Sequence, residues 1–195
     1  MERKANVKRV TSETDINLLL NLDNNSESNI NTGIGFFDHM LTSFAKHSFT
    51  HIDLRVDGDL EVDSHHTIED TGIVLGQAIK EALGDKKGIK RYGSAIIPMD
   101  DALILCSLDL SGRPFLVFDV PLTVEKVGDL DTEMVKEFFY AVSYSAAMNL
   151  HIKLIHGSNN HHIIEGVFKA FAKAFDQAIS YDERIKDVLS TKGTI

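Results

Sequence analysis

The chain has 195 residues, of which 43% are hydrophobic and 25% charged, a composition that predicts a globular protein with a sizeable core. The formal net charge of −9 argues against nucleic acid or an anionic membrane as a partner. A single cysteine, Cys106, excludes a disulfide within the chain and fits a reducing cytoplasm. The N-terminus lacks an apolar signal segment and no run approaches 18 apolar residues, so we expect neither standard secretion nor a membrane span.

The first half of the chain predicts strands and helices in a simple order. Alternating apolar residues from 5 to 22 predict two strands with a turn near Glu13, and helical spacing follows from 33 to 47. Alternation returns at 51–56, and residues 67–83 then have the pattern of a long amphipathic helix. The predicted order is strand, strand, helix, strand, helix.

The second half repeats this order. Strands are predicted at 94–99, 102–110, 115–120 and 151–154, and helices at 132–148 and from 161 onward. Asp131 or Thr132 is a candidate cap for the helix at 132–148. We therefore expect an α+β fold, a two-layer α/β sandwich built from two tandem, pseudo-symmetric halves, 1–90 and 91–195, with helices on one face of each sheet.

One short motif, His-His-x-x-Glu, occurs at residues 65–69 and again at 161–165. On a helix, residues three or four apart share a face, whereas adjacent residues diverge by about 100°. Glu69 can therefore join His65 or His66 on one ion, and the other histidine points towards a second centre. Imidazole nitrogens with carboxylate oxygens suit manganese, iron or zinc. The repeat predicts a pair of metal centres.

The first helix of each half offers one more ligand. His39 lies 26 residues before the first motif and Glu137 lies 24 residues before the second, at corresponding places. Taken alone, Glu137 is equally compatible with a solvated helix face.

Several longer stretches carry a resemblance to a known family. They are Gly33-Ile-Gly-Phe-Phe-Asp-His-Met-Leu41, Asp63-Ser-His-His-Thr-Ile-Glu-Asp70, Leu110-Ser-Gly-Arg-Pro114, His161-His-Ile-Ile-Glu-Gly-Val-Phe-Lys169 and Ser190-Thr-Lys-Gly193. In this order they resemble the imidazoleglycerol-phosphate dehydratases of histidine biosynthesis, from about residue 3 to the C-terminus. The fused phosphatase domain of some members is not seen in this sequence.

The resemblance implies a metal centre and an assembly. It implies two manganese ions per active site, with ligands drawn from neighbouring subunits of a 24-subunit homo-oligomer. The implied ligands are His39, His65, His66, Glu69, Glu137, His161, His162 and Glu165. Eight ligands over two octahedral ions is four each, which leaves positions for substrate. Which histidine of each pair binds which ion stays open.

The implied reaction converts D-erythro-imidazole glycerol phosphate to imidazole acetol phosphate and water. The proton that is lost has no adjacent carbonyl to acidify it, so a metal-bound imidazolate and a diazafulvene intermediate are expected. The resemblance implies Glu13 as the general acid/base and a substrate contact. Asp100 and Asp101 are alternative carboxylates at what reads as a simple turn.

The substrate phosphate needs cations. The resemblance implies Arg91, Arg113, Lys169 and Lys192, with the Thr191 hydroxyl, as its contacts. Lys169 lies four residues after Glu165 and therefore on the same helical face. Ser43 stands where many members of the family have glutamine, which puts one peripheral phosphate contact in doubt.

Two other functions use similar residues. A dinuclear metallohydrolase would need a bridging carboxylate, often aspartate, and neither motif contains one. A metal-storage assembly would need the ligands alone, without Glu13 or the basic residues. The remaining histidines are expected to pack or hydrogen-bond, and His47 is expected near a helix C-terminus, where a cation is favoured; the others are His51, His151 and His156.

Overall fold

The computed structural model describes residues 2–193. Its first sheet has four strands, along which buried and exposed residues alternate. Its strands are β1 (Lys4–Val10), β2 (Thr14–Asn21), β3 (Asn29–Asn31) and β4 (His51–Gly58), in the order β1-β2-β4-β3. Ile16, Leu18 and Leu20 alternate with exposed polar residues on β2 and are buried. Strand β3 was not predicted, because three residues with two asparagines carry almost no periodic signal.

The second sheet has the same arrangement. The remaining strands are β5 (Tyr92–Met99), β6 (Ala102–Asp109), β7 (Phe115–Asp119), the two short strands β8 (Lys126–Val127) and β9 (Leu130–Asp131), and β10 (Asn149–His156). The sheet order is β5-β6-β10-β7, and β8 pairs only with β9 in a small hairpin. In each sheet the strand that comes last in the chain, β4 or β10, pairs antiparallel with one neighbour and parallel with the other.

Four helices lie between the two sheets. They are α1 (Gly35–Ser48), α2 (His65–Leu83), α3 (Glu133–Ser145) and α4 (Asn160–Ile179). Helix α2 packs on β1 and β2, α4 packs on β5 and β6, and across the middle α2 meets α3 while α1 meets α4. Glycines permit the close α2–α3 approach, because a Cβ at Gly72 would lie 2.8 Å from that of Ala141, and one at Gly76 2.6 Å from that of Ser145.

The predicted fold class is confirmed, with corrections at helix ends. Thr132 is the N-cap residue of α3, but its hydroxyl donates to the carbonyls of Val124 and Glu125 and does not cap the helix. Helix α3 ends at Ser145, before the predicted 148, because Ala147 adopts a left-handed φ of 53°. The division at residue 90 stays a prediction. Within residues 2–193, the apolar length of every helix falls short of a membrane span.

Candidate functional site

Packing of α1 against α4 assembles a three-residue group. His39, the fifth residue of α1, joins His161 and Glu165 from the first turns of α4, and their ligand atoms lie within 4.8 Å of one another. His161 Nε2 is 3.4 Å from Glu165 Oε2. Within residues 2–193, no other group of three His, Cys, Asp or Glu side chains comes as close. Two imidazoles and a carboxylate at this spacing suit a divalent transition-metal ion.

Lys169 completes the surroundings of Glu165. Its Nζ lies 2.6 Å from Glu165 Oε1, which confirms that the two side chains share a face of α4. Burial favours a raised pKa for Glu165, but the bond and charge of Lys169, with the histidines His39 and His161, outweigh it, so the pKa lies below its ordinary value. Glu165 is therefore a carboxylate at neutral pH, with Oε2 directed towards His161.

The first motif forms a looser group on α2. His65 Nε2 lies 3.5 Å from Glu69 Oε2, and the Glu69 side chain is 41% exposed, against 11% for Glu165. The side-chain hydrogen bond between Tyr140 and Tyr144 is the main cause that raises the pKa of Tyr140, and the negative charges of Glu137 and Glu69 add to it. Glu137 and Glu69 therefore lie on the same side of the α2–α3 pair, near Tyr140.

The second histidine of each motif points elsewhere. His66 Nδ1 lies 3.0 Å from an oxygen of Asp59, and His162 Nδ1 lies 2.7 Å from one of Asp101. A carboxylate on Nδ1 leaves Nε2 as the outward ligand atom, an arrangement common behind metal-binding histidines. The hydrogen bond that His66 donates to the Asp59 carboxylate raises the pKa of His66. Adjacent histidines thus diverge, as helical geometry predicts.

Glu13 lies beside the first motif. Its Oε1 is 3.7 Å from His66 Nε2, at the turn between β1 and β2. The turn is anchored to α2, because the Thr14 hydroxyl donates to the buried Asp70 over 2.5 Å and Arg9 forms an ion pair with the same carboxylate. A solvent-facing carboxylate is therefore held at a defined place next to an outward-facing imidazole.

Asp100 and Asp101 occupy the matching place beside the second motif. Asp100 Oδ2 lies 3.5 Å from His162 Nε2. Asp101 accepts hydrogen bonds from His162 and from the backbone N–H groups of Ser158 and Asn159, and these lower its pKa. The sequence alone suggested a plain turn here. Its only signal was two adjacent acidic residues between strands, which says nothing of the distant loop that Asp101 contacts.

The basic residues expected at the phosphate divide into two places. Arg91, Arg113, Thr191 and Lys192 line an open cleft of ≈ 720 Å³. Arg91 binds Asp109 through two hydrogen bonds of 2.6 and 3.0 Å, whereas the Arg113 side chain is 63% exposed. The cleft therefore offers cations at its rim.

Lys169 lies outside this cleft. Its Nζ donates to Met99 Sδ at the end of β5, while Arg91 directly precedes Tyr92 at the start of that strand. Seven steps along a strand at roughly 3.3 Å each separate these ends by about 23 Å. One chain does not bring Lys169 and the cleft residues to a single phosphate.

His47 corrects an expectation. Burial is the main cause that lowers its pKa, and the positive charges of Lys169 and Lys173 lower it further, so the cation is disfavoured despite the helix C-terminus. His47 follows His39 and Ser43 at intervals of four along α1, a spacing that could have signalled a shared face. The histidines on the sheets do not belong to the three-residue group; they are His51, His151 and His156.

The comparisons with known proteins agree with one another. The family model for imidazoleglycerol-phosphate dehydratase matches residues 32–175. Imidazoleglycerol-phosphate dehydratase from Lachnoclostridium phytofermentans is 64% identical, and that from Acetivibrio thermocellus 59% identical, each over 195 residues and 100% of both chains.

Two solved structures share the fold. A crystal structure of the Staphylococcus aureus imidazoleglycerol-phosphate dehydratase is 44% identical, with a TM-score of 0.84 over 92% of this chain and 99% of that one. The structure of IGPD from Pyrococcus furiosus is 36% identical, with a TM-score of 0.84 over 97% and 100% of the two chains.

These matches, over the fold that holds the site, define an enzyme of the hydro-lyase class. The chain belongs to the imidazoleglycerol-phosphate dehydratase family, the dehydratases of histidine biosynthesis.

Proposed function

We propose that the chain removes water from D-erythro-imidazole glycerol phosphate to give imidazole acetol phosphate, with two manganese ions at each active site. The observation that carries the proposal is the group of His39, His161 and Glu165, with ligand atoms within 4.8 Å of one another. The donor set fits, because imidazole nitrogens and a carboxylate oxygen are common ligands of first-row divalent ions.

The ligands divide by their geometry. In our proposal His39, His161 and Glu165 bind one ion, and the looser group around Glu69 binds the other, with His65 and Glu137 as its further members. His66 and His162 supply the fourth ligand of an ion held mainly by another subunit. The support is their orientation, since Asp59 and Asp101 turn them away from the groups on their own chain.

The phosphate is proposed to lie between chains as well. Lys169 approaches it from the subunit that supplies His39, and the cleft residues Arg91, Arg113, Thr191 and Lys192 approach it from a neighbour. The support is the separation of about 23 Å along β5 within one chain. His47, next to Lys169, is a further candidate contact. Shared metals and a shared phosphate site favour a closed homo-oligomer, for which we propose 24 subunits, in the cytoplasm.

Glu13 is proposed as the acid/base. Manganese held by the proposed ligands would act as a Lewis acid and lower the pKa of the substrate's imidazole ring, which is the chemistry that water loss through an imidazolate and a diazafulvene would need. Glu13 would then accept the proton from the substrate C–H bond that becomes acidic once hydroxide has left the adjacent carbon. Its carboxylate is exposed, lies 3.7 Å from His66 Nε2 and is carried on a turn anchored to α2 through Asp70. Its neighbour Asp59 also donates a backbone hydrogen bond to the Glu13 carbonyl over 3.1 Å.

Turnover of the purified chain tests the reaction. With manganese, the chain should form imidazole acetol phosphate, and chelation should abolish the activity until manganese is returned. A matched control is Glu13→Gln, which should bind the same amount of manganese and lose turnover. No turnover by a folded, manganese-loaded chain would refute the proposed reaction.

Mixed oligomers test the shared site. Lys169→Ala and Arg113→Ala chains should each be weakly active, because each lacks one side of the phosphate site. After unfolding and joint reassembly, some sites should contain an intact Lys169 and an intact Arg113 from different chains, and activity should return. The control is either variant reassembled alone. Mixed assemblies without recovery would contradict the sharing.

A further inference from the structure

The connection that precedes α3 is much longer than the matching connection in the first half. Residues 120–132 join β7 to α3 and contain the β8–β9 hairpin, whereas only residues 32–34 join β3 to α1. The connection before α3 is therefore about ten residues longer than the one before α1. The order of the strands does not require the contacts that these extra residues make.

The hairpin caps α1 from a distance. Both oxygens of Asp129 accept hydrogen bonds from first-turn amides, from Gly35 N over 2.7 Å and from Phe36 N over 3.0 Å. The N-cap residue of α1, Ile34, has no side-chain oxygen to do this. The first amides of a helix have no partner within the helix, so a carboxylate here satisfies two of them and complements the helix dipole.

The same connection reaches the other three helices at their first residues. Asp131 accepts a 2.8 Å hydrogen bond from Ser64, the N-cap residue of α2. Thr123 donates its backbone N–H to the side chain of Asn160, the first residue of α4, over 2.8 Å and accepts a 3.0 Å bond from it. Thr132 is the N-cap residue of α3. All four helices carry proposed metal ligands.

Asp129 is coupled to those ligands through Phe36. The Phe36 ring lies 4.9 Å from the His161 ring and 6.4 Å from the His39 ring, between centroids. Gly128 packs against Phe36 from the hairpin side, where its φ is 61° and a Cβ would lie 3.3 Å from Phe36 Cβ. Movement of the first turn of α1 would therefore move His39 relative to His161.

We propose that Asp129 is a positioning residue for the metal centre, which caps α1 and so holds His39 against His161 and Glu165. The inference rests on the proposed metal-dependent function. Asp129 is not a member of the three-residue group and acts through the α1 backbone and Phe36.

The test compares Asp129→Ala and Asp129→Asn with two controls. Glu125→Ala removes an exposed side chain of the same connection, and Ile52→Val trims the buried face of β4 and supplies a thermal destabilisation not directed at α1. The measurements are manganese affinity by calorimetry, the visible absorption spectrum of the cobalt-substituted chain, and hydrogen exchange at the Gly35 and Phe36 amides. None of them depends on turnover.

We expect Asp129→Ala to weaken manganese binding by about tenfold or more, the range found for residues that orient metal ligands. Its cobalt spectrum should change and its first-turn amides should exchange faster. The manganese affinity of Asp129→Asn, which keeps one acceptor oxygen, should lie between that of Asp129→Ala and that of the natural chain. Asp129→Asn takes the place of Asp129→Ala in the test if Asp129→Ala does not fold. Both controls should keep the natural affinity and spectrum.

Unchanged affinity and spectrum in a folded Asp129 variant would overturn the proposal, as would an equal loss of affinity in Ile52→Val. A natural chain that binds no manganese would overturn it together with the proposed metal site. A natural chain that binds manganese without turnover would refute only the proposed reaction, and the metal measurements would still decide the role of Asp129.

Discussion

The two His-His-x-x-Glu motifs have the same letters and different surroundings. In the motif on α4, Glu165 is nearly buried, pairs with Lys169 and is joined by His39 from the same chain. In the motif on α2, Glu69 is 41% exposed, and the residue in the place of Lys169 is Ile73. The α4 motif is therefore almost a complete site within one chain, whereas the α2 motif is not.

The difference teaches how a symmetric pair of metal groups can serve an asymmetric substrate. In the proposed site an imidazole ring would offer one nitrogen to each of two ions, whereas the proposed substrate carries its phosphate on one side only. Only the α4 motif has a lysine four residues after its glutamate, with His47 close by. We infer that the phosphate lies on the side of the α4 motif, and the following predictions test this asymmetry in order of expected effect.

Loss of either glutamate should abolish turnover. Glu69→Ala and Glu165→Ala should each lower kcat by about a thousandfold, about 4 kcal/mol of transition-state stabilisation, because the proposed reaction requires both ions. Only Glu165→Ala should also lower the free energy of unfolding of the metal-free chain, by about 1 to 3 kcal/mol, because it leaves Lys169 without its partner. Urea unfolding and steady-state kinetics measure the two effects. Substantial activity in either variant would contradict the requirement of turnover for both glutamates.

The carboxylates beside the outward histidines should differ in effect. Glu13→Gln should lower kcat by about a hundredfold or more, the usual contribution of an acid/base. Asp100→Asn, which changes the matching position beside His162, should have a much smaller effect on kcat. Manganese content should be natural in Glu13→Gln. A lower kcat for Asp100→Asn than for Glu13→Gln would instead indicate that the acid/base lies beside the α4 motif.

Replacement of Lys169 should affect substrate binding. Lys169→Ala should raise KM by about tenfold to a hundredfold, because a charge-assisted hydrogen bond contributes about 1.5 to 3 kcal/mol. Ile73→Ala, at the matching position of the α2 motif, should leave KM close to natural. Inorganic phosphate should inhibit the natural chain more strongly than Lys169→Ala. Equal KM values for Lys169→Ala and Ile73→Ala would contradict the inference that the phosphate lies on the side of the α4 motif.

Acid should distinguish the two histidine–aspartate pairs in the metal-free chain. The raised pKa of His66 gives stability that is present below the unfolded histidine pKa of about 6.5 and is lost as pH rises through the folded pKa. Asp59→Asn should therefore cost more stability near pH 5.5 than near pH 8.5, about one unit below and two above that value.

Asp101 should behave differently. Its lowered pKa gives stability that is present above the unfolded aspartate pKa of about 3.9 and is lost as pH falls through the folded pKa. Asp101→Asn should therefore cost stability at neutral pH, and this cost should shrink as the pH falls below about 3.9. Urea unfolding of Asp59→Asn at the two pH values, and of Asp101→Asn at neutral pH and below about pH 3.9, measures these costs. A cost of Asp59→Asn that grows with pH, or a cost of Asp101→Asn that grows in acid, would contradict the expected directions.

Ser43 should have the smallest effect. Its hydroxyl is buried without a hydrogen-bond partner, and the matching ninth residue of α3 is already Ala141. Ser43→Ala should therefore leave the free energy of unfolding unchanged or raise it by up to about 1 kcal/mol, since an unsatisfied buried hydroxyl is removed. Thermal unfolding measures the change. A clear loss of stability would show that the hydroxyl has a partner in the assembled protein.

Much of the fold followed from local pattern. Alternation predicted the long strands because one face of each sheet is buried, and period-3.6 spacing predicted all four helices. Strand β3 and the β8–β9 hairpin were missed, because segments of two or three residues hold no period and form only when a neighbouring strand is present.

The sequence by itself determined the ligand types, their helical spacing and the divergence of adjacent histidines, because these follow from the geometry of a single helix. Only the tertiary structure decided that His161 lies beside His39, that His66 and His162 turn to Asp59 and Asp101, and that Lys169 lies far from the basic cleft. Those facts depend on how α1 packs on α4 and on the length of β5, and no local pattern encodes the distance between segments that are far apart in the chain.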